Sequence, residues 1–221
     1  MPQSCSNAEV SEFLLRACHD LRGPVRTMRI HSEMLAKGAA APDSDQSLGF
    51  VLKGAATAGA LVDGITDFAL ALAIDPARFH PVPLDILFRS ALAKLAKPIQ
   101  ESEAHIAYGE LPTIRGDADR LLQLFEYLVD YMLRRSGGSK PMVNLDAELH
   151  EDEWLLTIRD SFAGLKTDEV ESVFKPFARV NGNERPGPGL ATCRTIVERH
   201  GGRMWAEAEE ARCVIRFTLL E

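Results

Sequence analysis

The sequence predicts an α-helical hairpin followed by an α+β two-layer sandwich within one chain of 221 residues. Three observations predict this fold class. Apolar residues recur at alternating steps of three and four through the first seventy residues or so, which is typical of packed helices. A proline-rich segment follows at residues 75–83. Beyond it, helical and strand-like patterns are segregated along the chain, as in α+β folds. The predicted boundaries are 1–75 for the hairpin, 76–83 for a linker and 84–221 for the sandwich.

Each of the two N-terminal helices carries a predicted apolar seam. In the first helix the seam is Leu14, Cys18, Leu21, Val25, Met28, Ser32 and Leu35, and in the second it is Leu48, Leu52, Ala55, Gly59, Val62, Ile65 and Ala69. A break at residues 37–45, with Gly38 and Pro42, predicts that the two helices are antiparallel. Because a hairpin alone buries only one stripe, the pattern predicts a homodimer in which two hairpins form a four-helix bundle.

The elements of the sandwich follow from local periodicity and turn residues. Helices are expected at residues 84–101, 119–135 and 189–200. Strands are expected near Ile106 and Thr113 and at residues 142–149, 154–160, 203–208 and 212–220. One sheet covered on one face by helices is the expected arrangement.

Composition excludes several classes of function. Hydrophobic residues make up 46% of the chain and charged residues 26%, and apolar runs are interrupted well short of a membrane span. Residues 1–12 lack a basic start with an apolar core, so a cytoplasmic protein without membrane insertion is expected. The net charge of -7 disfavours nucleic acid as a partner. The four cysteines show no metal-binding spacing and are expected to be reduced.

His19 is the candidate catalytic residue. It precedes Asp20, and Pro24 follows five residues after the histidine inside a helical pattern. A neutral imidazole nitrogen is a good nucleophile near pH 7, and an adjacent carboxylate can orient the ring and take its proton. Arg22 and Arg26 on the same helix are candidates for docking an acidic partner. The alternative interpretation is an ordinary solvent-exposed histidine on a helix.

The run from His19 to Pro24 resembles the phospho-acceptor box of two-component histidine kinases. From about residue 10 to the C-terminus the chain resembles this family, and its second half resembles the family's ATP-binding domain in the phytochrome-type branch. Four boxes carry the resemblance: residues 120–135 (N box), 160–164 and 187–202 (glycine boxes) and 173–179 (phenylalanine box). The resemblance implies ATP and Mg²⁺ as cofactors and response-regulator receiver domains as partners. It also implies nucleotide-binding roles for Asp160, which stands where the family reads adenine, and for Gly164, Gly187 and Gly189.

Several positions depart from the family pattern. Tyr127 and Tyr131 stand where the N box has two asparagines, the second of which is a magnesium ligand in the family. A neutral phenol is a poor ligand for a hard cation. Neighbouring Glu126 and Asp130 are each rotated by about 100° around the helix, so they are expected to point elsewhere. Phe162 replaces the first glycine of its box, and Gly23 replaces a polar residue of the acceptor box, which puts dephosphorylation of a partner in doubt.

Three functions are compatible with this sequence. A histidine phosphotransferase would pass a phosphoryl group between receiver aspartates through His19 without using ATP. An active autokinase would transfer the γ-phosphoryl group of ATP to His19. A pseudokinase scaffold would bind receivers or a kinase without chemistry. The retained His19 argues against a pure scaffold, and Tyr127, Tyr131 and Phe162 argue against a pure kinase.

Overall fold

The computed structural model describes residues 7–38, 41–135, 140–163, 173–175, 189–209 and 212–221. Two long helices come first, α1 (Asn7–Ala36) and α2 (Ala41–Leu72). Helix α1 continues through Pro24. The predicted break at residues 37–45 is too long, because α2 already begins at Ala41. Pro42 fits in the first turn of α2, because the amides of the first turn donate no intrahelical hydrogen bond and a proline there loses none.

The two helices of the hairpin contact each other mainly through residues outside the predicted seam, and Leu21 and Ile65 of the seam pack against the edge of this contact. Phe13 of α1 stacks on Phe68 of α2, with ring centroids 3.9 Å apart. Ala17 and Leu61 complete this small buried cluster. The predicted seam forms a second stripe that a single chain leaves largely uncovered, with exposed apolar side chains at Leu14, Val25, Leu48, Leu52 and Val62.

Helix α2 is more apolar than helix α1. By length and composition alone, residues 43–72 could cross a membrane, and only a small share of that stretch is buried in a single chain. A helix that packs in a bundle of soluble helices passes the same test.

The predicted linker at residues 76–83 is folded. A 3₁₀ turn (Pro76–Arg78) is capped by Asp75, whose carboxylate accepts a hydrogen bond from the amide of Ala77 at 3.0 Å. Strand β1 (His80–Pro83) then pairs antiparallel with β3 (Thr113–Gly116) in a two-stranded sheet. Prolines fit here because such a sheet consists of edge strands, where a missing amide donor is tolerated.

The remaining elements form a five-stranded mixed sheet with helices. These elements are α3 (Leu84–Lys94), α4 (Ala96–Glu101), β2 (His105–Tyr108), α5 (Ala118–Arg135), β4 (Met142–His150), β5 (Glu153–Ala163), α6 (Gly189–Arg199), β6 (Met204–Glu209) and β7 (Arg212–Leu220). The strand order of the sheet is β2-β4-β5-β7-β6, with β2 and β4 parallel and all other neighbours antiparallel.

These elements match the predicted ones within a few residues, with one exception. The helix predicted over residues 84–101 is two helices that meet at Leu95. Pro98 accounts for the interruption, because it has no amide hydrogen and its ring conflicts with the carbonyl of Lys94.

One face of the sheet carries the core. Side chains of α5, among them Leu124 and Phe125, are fully buried together with Leu156 of β5 and Phe217 of β7. The structure thus confirms an α+β fold in which helices cover a mixed sheet. The end of α2 also enters this core, since Ala71 and the following Ile74 belong to the same buried cluster.

Candidate functional site

His19 lies on α1 with its side chain 81% exposed. Its Nδ1 atom is 3.0 Å from Oδ1 of Asp20. When Nδ1 carries the proton and donates it to this carboxylate, the lone pair of Nε2 is free for nucleophilic attack. The accessible ring that the sequence predicts is therefore present, with an acid beside it.

Two arginines extend along the same helix from His19. Arg22 and Arg26 are both exposed, and they follow the histidine by three and seven residues. Residues at these spacings share one face of a helix. The structure therefore presents two basic side chains on the face of α1 that carries the histidine.

Helix α5 carries the two tyrosines of the N box. The hydroxyl of Tyr127 donates a short hydrogen bond to Oδ2 of Asp67 on α2, and Nε2 of Gln123 lies 3.5 Å from the same hydroxyl. Tyr131 is 4% exposed in the core. Burial raises the pKa of Tyr127, as do its hydrogen bond to Asp67 and the charge of that carboxylate, and burial likewise raises the pKa of Tyr131. Both phenols are therefore neutral at physiological pH.

The carboxylates beside the tyrosines do not replace the missing metal ligand. Asp130 pairs with Arg134 at 2.7 Å, and Glu126 pairs with Lys94 at 2.6 Å, as their displacement around the helix predicts. Among the described residues, no group of three or more His, Cys, Asp and Glu side chains could hold a metal ion. Neutral phenols and paired carboxylates do not fit Mg²⁺, which prefers free anionic oxygen ligands.

Asp160 is the best-defined residue of the predicted nucleotide site, and it is held by an arginine. Nε of Arg135, at the end of α5, lies 2.7 Å from Oδ2 of Asp160 on β5. The two side chains are 5% and 0% exposed. The guanidinium also lies 5.8 Å from the ring centroid of Tyr131, and nearby Cys213 has its pKa raised by burial to about 11. The carboxylate of Asp160 is therefore part of an internal ion pair.

Other parts of the predicted nucleotide site are only partly described. Gly164 and Gly187 lie outside the described residues, as does most of the phenylalanine box. Gly189 begins α6 with a positive φ of 45°. Phe174 is buried beneath the guanidinium of Arg194, which lies 3.8 Å from its ring centroid.

A buried histidine joins the N box to the helix after the second glycine box. Nε2 of His200 accepts a hydrogen bond from the amide of Asp117 at 3.0 Å, and Nδ1 donates to the carbonyl of Ile196 at 2.7 Å. The ring stacks on Phe79 at 4.5 Å. Desolvation lowers the pKa of His200, so the imidazole is a neutral structural element.

Sequence reasoning missed Arg135 and Asp67 as parts of this site. A signal existed for Arg135, because it falls on the buried face of α5, four positions after Tyr131. Asp67 has no such signal, since its partner is 60 residues away.

Comparison with known proteins places this site in a family. Residues 116–221 match the family described as histidine kinase-, DNA gyrase B- and HSP90-like ATPases. The chain is 28% identical over 210 residues to cyanobacterial phytochrome A of Nostoc sp., covering 92% of this chain. It is 31% identical over 215 residues to the signal transduction histidine-protein kinase BaeS of Escherichia coli, covering 88% of this chain. These alignments span 27% of the phytochrome and 43% of BaeS.

A solved structure has the same fold over most of the chain. Histidine kinase ThkA, in complex with response regulator protein TrrA, superposes with a TM-score of 0.75 at 18% identity, covering 96% of this chain and 62% of that one. The second half of the chain is therefore a histidine kinase-type ATPase domain. It is an ATPase domain of the type found in two-component sensor histidine kinases.

Proposed function

We propose that the chain is a phosphorelay protein of two-component signalling, which carries a phosphoryl group on His19 and exchanges it with receiver-domain aspartates. Its use of ATP is lost or impaired. The ion pair between Arg135 and Asp160 carries this proposal, because the carboxylate that would read adenine already has a buried cationic partner. The Asp160 side chain is also 0% exposed, so a nucleotide base could reach it only after the surrounding packing had opened.

The exposed imidazole suits the transfer itself. Nε2 of His19 attacks the phosphorus of a receiver's aspartyl phosphate, the N–P bond forms, and the P–O bond to the aspartate breaks. The receiver recovers its carboxylate, and the proton on Nδ1 is stabilised by Asp20, 3.0 Å away. Arg22 and Arg26 assist docking of the acidic receiver pocket. Transfer to a second receiver is the same reaction in reverse.

A homodimer formed through the hairpin is part of this proposal. The uncovered stripe on α1 and α2, represented by Val25 and Leu52, is apolar and runs along both helices. A second copy of the hairpin would bury it in a four-helix bundle. We assign residues 1–75 to this dimerisation and acceptor unit and residues 84–221 to the ATPase-type unit. We propose a cytoplasmic location, in keeping with the phytochrome relative, and receiver partners, in keeping with the complex of ThkA with the response regulator TrrA.

The proposal is tested with receiver domains phosphorylated by a small-molecule phosphodonor. The phosphoryl group of the receiver is radiolabelled, and the label should move from the receiver to the wild-type chain. No label should be transferred to the His19→Ala variant. His31→Ala, in the same helix, is the matched control and should retain the label. Labelling that persists in His19→Ala, or no transfer from any receiver of the host, would contradict the proposal.

An ATP-dependent autokinase is the second candidate. It is favoured by the ATPase-family match and by the retained Asp160 and Gly189. Calorimetric titration with ATP and Mg²⁺ separates the candidates. Micromolar binding followed by label on His19 would support the autokinase, and no binding by a folded protein would exclude it.

A further inference from the structure

The N-box face of α5 contacts the hairpin. The phenol of Tyr127 donates to the carboxylate of Asp67, so one hydrogen bond joins α5 to α2 across 60 residues of sequence. Gln123 lies one turn earlier on α5, and its side-chain Nε2 donates to the Tyr127 hydroxyl oxygen at 3.5 Å. In the family this face of the N-box helix is directed at nucleotide, and here its first tyrosine is engaged by the chain's own helix.

Further contacts secure the same junction. Ile74, just after α2, is buried in the core of the ATPase-type half. Phe79 stacks on His200 at the end of α6, and its carbonyl accepts a hydrogen bond from Arg115 at 3.0 Å. The connection between the two halves is thus anchored by Ile74 and Phe79, and the Tyr127–Asp67 hydrogen bond is a polar contact at its helical end.

We propose that Tyr127 and Asp67 form an interdomain clasp, which fixes the ATPase-type half on helix α2 and makes the N-box face a docking surface for that helix. A half-buried phenol that stays protonated and donates to a carboxylate forms a charge-assisted hydrogen bond, which is stronger than one between neutral groups. Phenylalanine in place of Tyr127 would keep the packing and lose this bond.

The clasp lies close to the acceptor histidine without covering it. Asp67 precedes Phe68, which stacks on Phe13 of α1. His19 follows Phe13 by six residues, or about 9 Å along the helix axis. The ATPase-type half is therefore held at one fixed level of the hairpin, while the His19 side chain stays 81% exposed for a partner. This inference goes beyond the proposed phosphorelay and does not depend on it, because it concerns the geometry of the free chain.

Spin-label distance measurement tests the clasp directly. Labels at Ala56→Cys on α2 and Glu148→Cys on β4 report the separation of the two halves, in a chain with Cys5 and Cys18 replaced by serine. Dilution with unlabelled chain restricts the signal to distances within one chain. The clasped chain should give one narrow distribution, and both Tyr127→Phe and Asp67→Ala should broaden it at least twofold, because each removes one partner of the hydrogen bond.

Two comparisons make this result specific. Tyr108→Phe removes a hydroxyl that accepts from Arg89 within the ATPase-type half, away from the junction, and it should leave the distribution narrow. The double variant Tyr127→Phe with Asp67→Ala should broaden the distribution no more than either single change, because each single change already removes the same hydrogen bond. An unchanged width in both single variants that retain the wild-type circular dichroism spectrum, or additive broadening in the double variant, would overturn the clasp. Transfer to His19, measured separately, tests the phosphorelay alone.

Discussion

Nε of Arg135 lies 2.7 Å from Oδ2 of Asp160, in an ion pair from which solvent is almost wholly excluded. The two residues come from the end of α5 and from β5, and their side chains meet in the core. In this chain a carboxylate of the nucleotide box has become part of the structure that holds a helix to the sheet.

Asp160→Asn should therefore destabilise the fold. The substitution leaves the Arg135 charge buried without a counter-charge, a change that typically costs about 3–5 kcal/mol. The free energy of unfolding, measured by urea denaturation, should fall by this order. Asp146→Asn is the matched control, because Asp146 forms an ion pair of equal length with Arg159 at the surface, where about 0–1 kcal/mol is expected. An Asp160→Asn variant as stable as wild type would show that the pair has no structural role.

Ultraviolet titration should reveal the two buried phenols. The chain has three tyrosines, and the pKa values of Tyr127 and Tyr131 are raised by burial. An exposed tyrosine ionises near pH 10. The absorbance change near pH 10 should therefore correspond to the ionisation of at most one tyrosine in the folded protein. After denaturation it should correspond to the ionisation of all three tyrosines. Three phenols titrating together in the native state would contradict the burial of the N-box face.

The stability of the fold should decrease in mildly acidic solution because of His200. Burial lowers the pKa of this imidazole in the folded state, so the unfolded chain binds a proton more readily. The contribution is fully present above the unfolded pKa of about 6.5, and it is lost as pH falls from there through the lower folded value. Urea denaturation at pH 7.5 and at pH 5.5 measures the loss. In His200→Gln the difference between the two pH values should shrink, whereas an unchanged difference would assign the pH dependence to other groups.

Charged substitutions on the uncovered hairpin stripe should separate the dimer. Val25 and Leu52 are 52% and 62% exposed in a single chain, so Val25→Glu with Leu52→Glu leaves the interior of the hairpin intact. Burying those carboxylates between two hairpins is unfavourable. Sedimentation velocity at micromolar concentration should show a dimer for wild type and a monomer for the variant. Leu149→Glu, at a similarly exposed apolar position on β4, should remain dimeric, and a monomeric wild-type protein would contradict the bundle.

Much of the fold follows from local patterns in the sequence. The strand at residues 142–150, the amphipathic helix α5 and the two long N-terminal helices each bury one face, so the spacing of their apolar residues identifies them. The strand at residues 212–220 is largely buried on both faces and is identified by its mostly apolar run. His19 beside Asp20 is equally local, because the two are adjacent in the chain. The displacement of Asp130 and Glu126 from the N-box face also follows from helical geometry alone.

Only the tertiary structure decided the contacts between distant segments. Strand β1 lies inside the segment that the sequence predicts to be a proline-rich linker, and it pairs with the distant strand β3. Phe13 stacks on Phe68 outside the predicted seam. The partners of Asp160 and Tyr127 lie 25 and 60 residues away. Periodicity shows which face of an element is buried, but the residue it meets depends on how the elements are ordered and registered in three dimensions. The sequence by itself therefore determined most of the elements and the position of His19 beside Asp20, while the packing of α5 against β5 and α2 decided which residues Asp160 and Tyr127 contact.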